Sequence, residues 1–185
     1  MADEDTFNVA ILATDGFEDV ELTEPAKALG QAGATVDVIA PHGEQIQAFR
    51  HHDKSSTVPM DLTLDPAKPA DHDALLLSGG ALNADAVRVV PQMQRFVQAM
   101  AQAGKPMAVI CHAPWELISA GLARGKTMTS YHTIQDDARN AGTSWVDQDV
   151  VVDGKLVTSR QPSEIAAFNR EMLKLFSLRP QAAMR

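Results

Sequence analysis

Short apolar runs, each broken by a turn and then by a helix-like stretch, constrain the fold of this chain more than any other feature. Val9 to Ala13 follows a polar start and has the length and composition of a buried strand. TVDVIA, Thr35 to Ala40, is alternating and β-branched, and DALLLSGG and KPMAVI are continuous apolar runs. Between the first two lies DGFEDVELTEPAKALGQAG, which reads as a turn and a helix, with Pro25 in the first turn of its main part and Gly33 as its stop. Pro91 to Ala103 places Met93, Phe96, Val97 and Met100 at helical spacing and stops at Gly104. PWELISAG, SYHTIQDDARNAG and Pro162 to Phe176 read as further helices, and WVDQDVVVDGKLVTS as a hairpin turning at Asp153-Gly154. His42 to Pro69 is rich in polar and turn residues and reads as short extended pieces and surface loop. Strands joined by helices over so few residues must run parallel. The expected fold class is therefore α/β, a mainly parallel sheet with helices on both faces, as one domain spanning residues 1–185. Such a sheet binds ligands beyond the carboxyl ends of its strands.

A formal charge of −8 argues against nucleic acid or an anionic membrane as partner, since both select a basic surface. The single cysteine excludes an intramolecular disulfide and a cysteine-rich zinc site. The acidic start MADEDTFNVAIL lacks the basic residues and apolar stretch of a signal peptide, and no apolar run approaches the ~20 residues that span a bilayer. The chain reads as cytoplasmic with a reduced thiol, and LRPQAAMR as a solvated tail.

That thiol, Cys111, stands in AVICHAP, where a strand ends, one residue turns and a helix begins. This is the arrangement of a nucleophile elbow: the turn exposes the sulfur, and the unpaired N–H groups of the helix favour the thiolate. His112 is the candidate base, although neighbouring side chains normally point apart. Gly79 and Gly80, at the end of DALLLSGG, offer bare N–H groups that with that of His112 can hold an oxyanion. In DGFEDVEL, Glu18 approaches Cys111 if the first and fourth strands lie side by side, and there it can move a proton. Asp19 and Glu21 read as acids balancing the helix dipole. The loop residues His51, His52 and Asp53 lack a spaced set of further ligands and read as solvated, not as a metal site. No phosphate-binding or dinucleotide fingerprint is present, so no cofactor is expected.

Taken together, GFEDVEL, DALLLSGG with NADAVR, AVICHAPWELISAG, TSYHTIQDDARNAG and VVVDGKLVTSRQPSEIAAF resemble, from about Phe7 to Phe176, the PfpI family of intracellular proteases and stress proteins in the class I glutamine amidotransferase-like superfamily. The resemblance implies a flavodoxin-like three-layer sandwich and a homo-oligomer. It also implies a cysteine hydrolase acting on peptides, or on reactive carbonyls and their protein adducts. Carried over by position, Cys111 resembles the nucleophile, His112 the residue after it, and Glu18 the carboxylate that hydrogen-bonds the thiol. Asp85 stands for the acid that a neighbouring subunit adds in the hexameric proteases, in a loop of different length. Tyr131 matches a tyrosine lining the family's site, with His132 where a proline often follows. The non-enzymatic alternative is a redox sensor or holdase using the oxidisable Cys111.

Overall fold

The apolar runs form neighbouring strands of one sheet. The structure is a computed structural model describing residues 6–178. In chain order its elements are β1 (Asn8–Leu12), β2 (Phe17–Glu18), α1 (Asp19–Gln31), β3 (Thr35–Ala40), β4 (Gln45–Arg50), β5 (Asp53–Pro59), β6 (Leu62–Thr63), β7 (Ala74–Leu77), α2 (Ala81–Val87) and α3 (Pro91–Gln102). There follow β8 (Met107–Ile110), α4 (Pro114–Ser119), β9 (Thr127–Met128), α5 (Gln135–Asn140), β10 (Ser144–Trp145), β11 (Val150–Asp153), β12 (Leu156–Ser159) and α6 (Ile165–Leu175). The main sheet has the order β11-β12-β8-β7-β1-β3-β6, parallel throughout except for β11.

Because strand side chains alternate between faces, β1 sends Val9 and Ile11 to one side and Ala10 and Leu12 to the other. The first set packs with Leu22 and Leu29 of α1 and Phe168 and Met172 of α6. The second packs with Met93, Phe96, Val97 and Met100 of α3 and Leu117 of α4. Burying each such side chain contributes roughly 1.5–3 kcal/mol, so the two layers clamp the sheet from both sides. The result is the three-layer α/β sandwich expected from the sequence.

Three local differences bear on the site. α1 starts at Asp19, so Pro25 lies inside it, on the face that carries Leu22 and Leu29 into the core. The stretch after Pro41 is more ordered than its composition suggests: β4 and β5 form an antiparallel hairpin, and β2 joins it as a small second sheet. The residues after Gly80 form a helix, α2, whose Asn83 is buried and donates to the carbonyls of Ser78 and Gly79 (2.9 and 3.2 Å) while accepting the Thr14 N–H (2.7 Å). The tail after Leu178 lies outside the described residues.

Candidate active site

The carboxyl ends of β1, β7 and β8 open into one cavity of about 830 Å³, lined among others by Glu18, Glu21, Gly80, Cys111, His112 and Tyr131. Cys111 has φ of +63°, a left-handed conformation that costs a side-chain-bearing residue on the order of 1–3 kcal/mol. Its backbone is pinned there: its N–H donates to the Ser159 carbonyl (3.0 Å), and its carbonyl accepts the Tyr131 N–H (2.8 Å). The residue is buried, not exposed as the elbow alone suggests, although its atoms reach the cavity.

The first and fourth apolar runs, β1 and β8, are not adjacent, because β7 runs between them. The carboxylate that meets Cys111 is also not Glu18. Glu18 precedes the helix, and its Oε2 accepts the His51 N–H at 3.0 Å. Glu21, fully buried in the first turn of α1, is the carboxylate that stands beside the thiol across Gly79. To do so it reaches over the end of β7, and Gly79 is the residue that lets it pass. A Cβ at Gly79 would stand 1.9 Å from Glu21 Oε2 and 2.6 Å from Cys111 Cβ. Gly80 has φ of +92° and lies so close to Gly16 and Glu18 that a Cβ would meet their backbone at 2.4 and 2.6 Å.

The sequence does hold a signal for Glu21. Glu21, Pro25 and Leu29 are spaced i, i+4, i+8, so a helix that buries Leu29 buries Glu21 as well.

Desolvation dominates the electrostatics. It pushes the Glu21 carboxyl up to about 8, with the adjacent Cys111 thiol opposing the rise and the Glu18 charge adding to it. It also pushes the Cys111 thiol up, the reverse of what a helix N-terminus alone suggests; the Glu21 charge adds to that rise. The backbone groups of Gly80 and His112 hydrogen-bond the sulfur and pull the other way. Two coupled groups of this kind titrate as a pair. Glu21, at about 8, gives up its proton before the thiol, which is pushed well above its ordinary 9.0. Neither Glu21 carboxyl oxygen has a hydrogen-bond partner among the described residues.

His112 places Nδ1 3.2 Å from Sγ and stacks on Tyr131, centroids 4.8 Å apart. Burial and the nearby His132 hold its imidazole down at about 4, so at neutral pH it is uncharged and can accept a proton. Its Nε2 faces Thr133 Oγ1 at 3.4 Å, not a carboxylate. Asp85 projects from the exposed face of α2, paired with Arg88 at 3.4 Å, and does not line the cavity. The structure thus brings together Cys111, His112, Gly79, Gly80 and Tyr131, with Glu21 in the place foreseen for Glu18. Phe49, His51 and His52 of the β4–β5 hairpin add a wall that the sequence did not signal. Among the described residues no group of three His, Cys, Asp or Glu side chains is arranged to hold a metal, and no helix is long and apolar enough to cross a membrane.

The pattern of the DJ-1/PfpI family matches residues 7–175. The chain belongs to that family. The deglycase TK1284 of Thermococcus kodakarensis is 41% identical over 167 residues, 90% of this chain and 98% of that one. The putative cysteine protease YraA of Bacillus subtilis is 39% identical over 167 residues, 90% of this chain and 96% of that one. Among solved structures, DJ-1beta of Drosophila melanogaster superposes with a TM-score of 0.83 at 28% identity, covering 92% of this chain and 90% of the other. The DJ-1/PfpI relatives therefore carry two activity names, deglycase and cysteine protease.

Proposed function

We propose that the chain is a cysteine-dependent hydrolase of the deglycase type, acting on adducts that 2-oxoaldehydes form with amines and thiols. The observation that carries this reading is the buried Glu21 carboxyl, set beside the Cys111 side chain and without a hydrogen-bond partner among the described residues. Thiolate addition to a carbonyl carbon sends the carbonyl electron pair to oxygen, which must then take up a proton. Glu21 holds one beside the sulfur up to about pH 8, and the Gly80 and His112 backbone groups stand ready for the developing oxyanion. Overall, adduct and water give free amine or thiol and a 2-hydroxy acid, with no oxidant or reductant. A cavity of about 830 Å³ also far exceeds a three-carbon dicarbonyl and accommodates the adducted side chain.

The peptidase reading asks His112 to protonate a leaving amine with an acid behind it, and within this chain His112 has none. The names of the deglycase relatives favour the same choice.

The test is release of 2-hydroxy acid from methylglyoxal-treated N-acetylcysteine and N-acetylarginine. Wild-type protein is expected to turn both over, Cys111→Ser neither, and Asp85→Ala both at within about twofold of wild type, the range of an exposed charge remote from the chemistry. Full turnover by Cys111→Ser would sink the reading. Suppression of client aggregation that survives Cys111→Ser, without any turnover by wild type, would favour the holdase.

A further inference from the structure

The opposite edge of the sheet carries a second hollow, of about 450 Å³, at the amino ends of β8 and β12. Its floor is Met107, Leu117, Leu122 and Leu156, and its rim holds Lys105, Lys126 and Lys155. We propose that this hollow binds a small amphipathic anion, with an apolar body on the leucines and the methionine and an anionic head among the three lysines.

Charge placement supports the anionic head. The chain has 24 acidic against 16 basic residues, yet no Asp or Glu lines this hollow. None of its three lysines forms an ion pair among the described residues, although Arg50, Arg88, Arg139, Arg160, Arg170 and Lys174 all do. The Lys105 ammonium donates to the carbonyls of Pro69 (2.8 Å), Ala70 (3.3 Å) and His72, and the Lys155 ammonium to that of Gly104. Those bonds fix two cations at the rim without neutralising them, because a carbonyl carries a dipole and not a charge. Lys126 is held by backbone hydrogen bonds to Ala123 and Ser144, but its ammonium makes no hydrogen bond or ion pair among the described residues and is free to close on a ligand. The carboxylate of Asp153, two residues before Lys155, does not line the hollow and accepts the Thr127 N–H at 2.7 Å.

The floor supports the apolar body. Leu117 and Leu156 are buried, and with Met107 and Leu122 they present hydrocarbon to the hollow. A fully hydrated inorganic anion gains nothing from such a surface, and a neutral apolar ligand leaves the lysines unanswered. Burying hydrocarbon while meeting unpaired cations satisfies both. No residue of this hollow lines the catalytic cavity, so the proposal stands apart from the reading of Cys111.

The experiment is calorimetric titration of the full chain with octanoate, with octanol and acetate as the tail-only and head-only probes. Octanoate is expected to bind one per chain, at least about tenfold tighter than either fragment, and to weaken as salt is raised. Lys126→Glu, at a half-buried rim position, should weaken it by about tenfold or more, while Lys126→Arg should retain it. Cys111 alkylation should be unaffected by octanoate in every variant. Equal affinity for octanol, octanoate binding indifferent to both salt and Lys126→Glu, no binding at all, or octanoate protection of Cys111 would each overturn the proposal.

Discussion

Glu21 and Glu116 are two glutamates sealed into the same molecule, each with both carboxyl oxygens lacking a hydrogen-bond partner among the described residues. Burial lifts both: Glu21 to about 8, and Glu116, on α4, well above the usual carboxylate range. Yet Glu21 shares its site with a thiol and lines a cavity, while Glu116 does neither. Burial alone makes a stored proton. A second ionisable atom within reach makes that proton usable. Holding Glu21 protonated to pH 8 costs on the order of 5 kcal/mol relative to the unfolded chain, at about 1.4 kcal/mol per pH unit above the ordinary value of 4.5. In the proposed reaction that cost has a chemical return at Glu21; at Glu116 the cavity gains nothing visible from it.

The comparison breaks most sharply at Glu21. In Glu21→Gln the shape remains but the transferable proton is gone, and turnover should fall by roughly 100- to 1,000-fold, as for loss of a general acid. The pH midpoint of Cys111 alkylation should fall below the wild-type value, because the Glu21 charge that helps to push the thiol up is gone. A midpoint that rose instead would mean that Glu21 stays protonated in the wild type and donates to the thiolate. That result would reverse the roles given to the two atoms.

Gly79→Ala keeps both partners and removes only their contact. Its methyl would enter the space of Glu21 Oε2 and of Cys111 Cβ, both of which must retreat. Overpacking of this kind costs typically about 1–3 kcal/mol of stability. Turnover should drop by roughly tenfold or more, and the alkylation midpoint should approach that of Glu21→Gln. A variant with wild-type turnover would show that the passage over β7 is not what couples Glu21 to the thiol.

How legible this site was differs by residue. The parallel sheet, its two helical layers and Cys111 at the end of β8 follow from short apolar runs and one strand–turn–helix junction, which are local signals. The choice between Glu18 and Glu21 was not local. It depends on α1 starting at Asp19 and on β7 separating β1 from β8, so that the bridging acid must be one helical step further along and face inward. The thiol's upward shift was hidden for the same reason: it comes from burial first and then from Glu21, both set by tertiary packing. The β4–β5 hairpin was missed because its strands are polar and half-solvated, without a clean apolar alternation. Glu116 gave no warning at all, since a lone acid in PWELISAG reads as a solvated helix residue.

Glu116→Gln supplies the smallest effect and the cleanest contrast. Since the folded-state value lies above the unfolded one, the neutral carboxyl imposes no pH-dependent penalty below the ordinary 4.5. As pH rises past that point the unfolded chain ionises while the folded chain does not, and wild-type stability declines until the folded value is reached. Glutamine does not titrate, so the variant should match wild type near pH 4 and exceed it by about 1–3 kcal/mol at pH 8 in denaturant unfolding. Turnover should stay within about twofold, because Glu116 does not line the cavity that holds Cys111. The same substitution at Glu21 should also gain stability as pH rises, but there it removes the reaction. A Glu116→Gln variant that gained no stability between pH 4 and pH 8 would mean that Glu116 is ionised in the folded protein. The likeness between the two glutamates would then fail at its root.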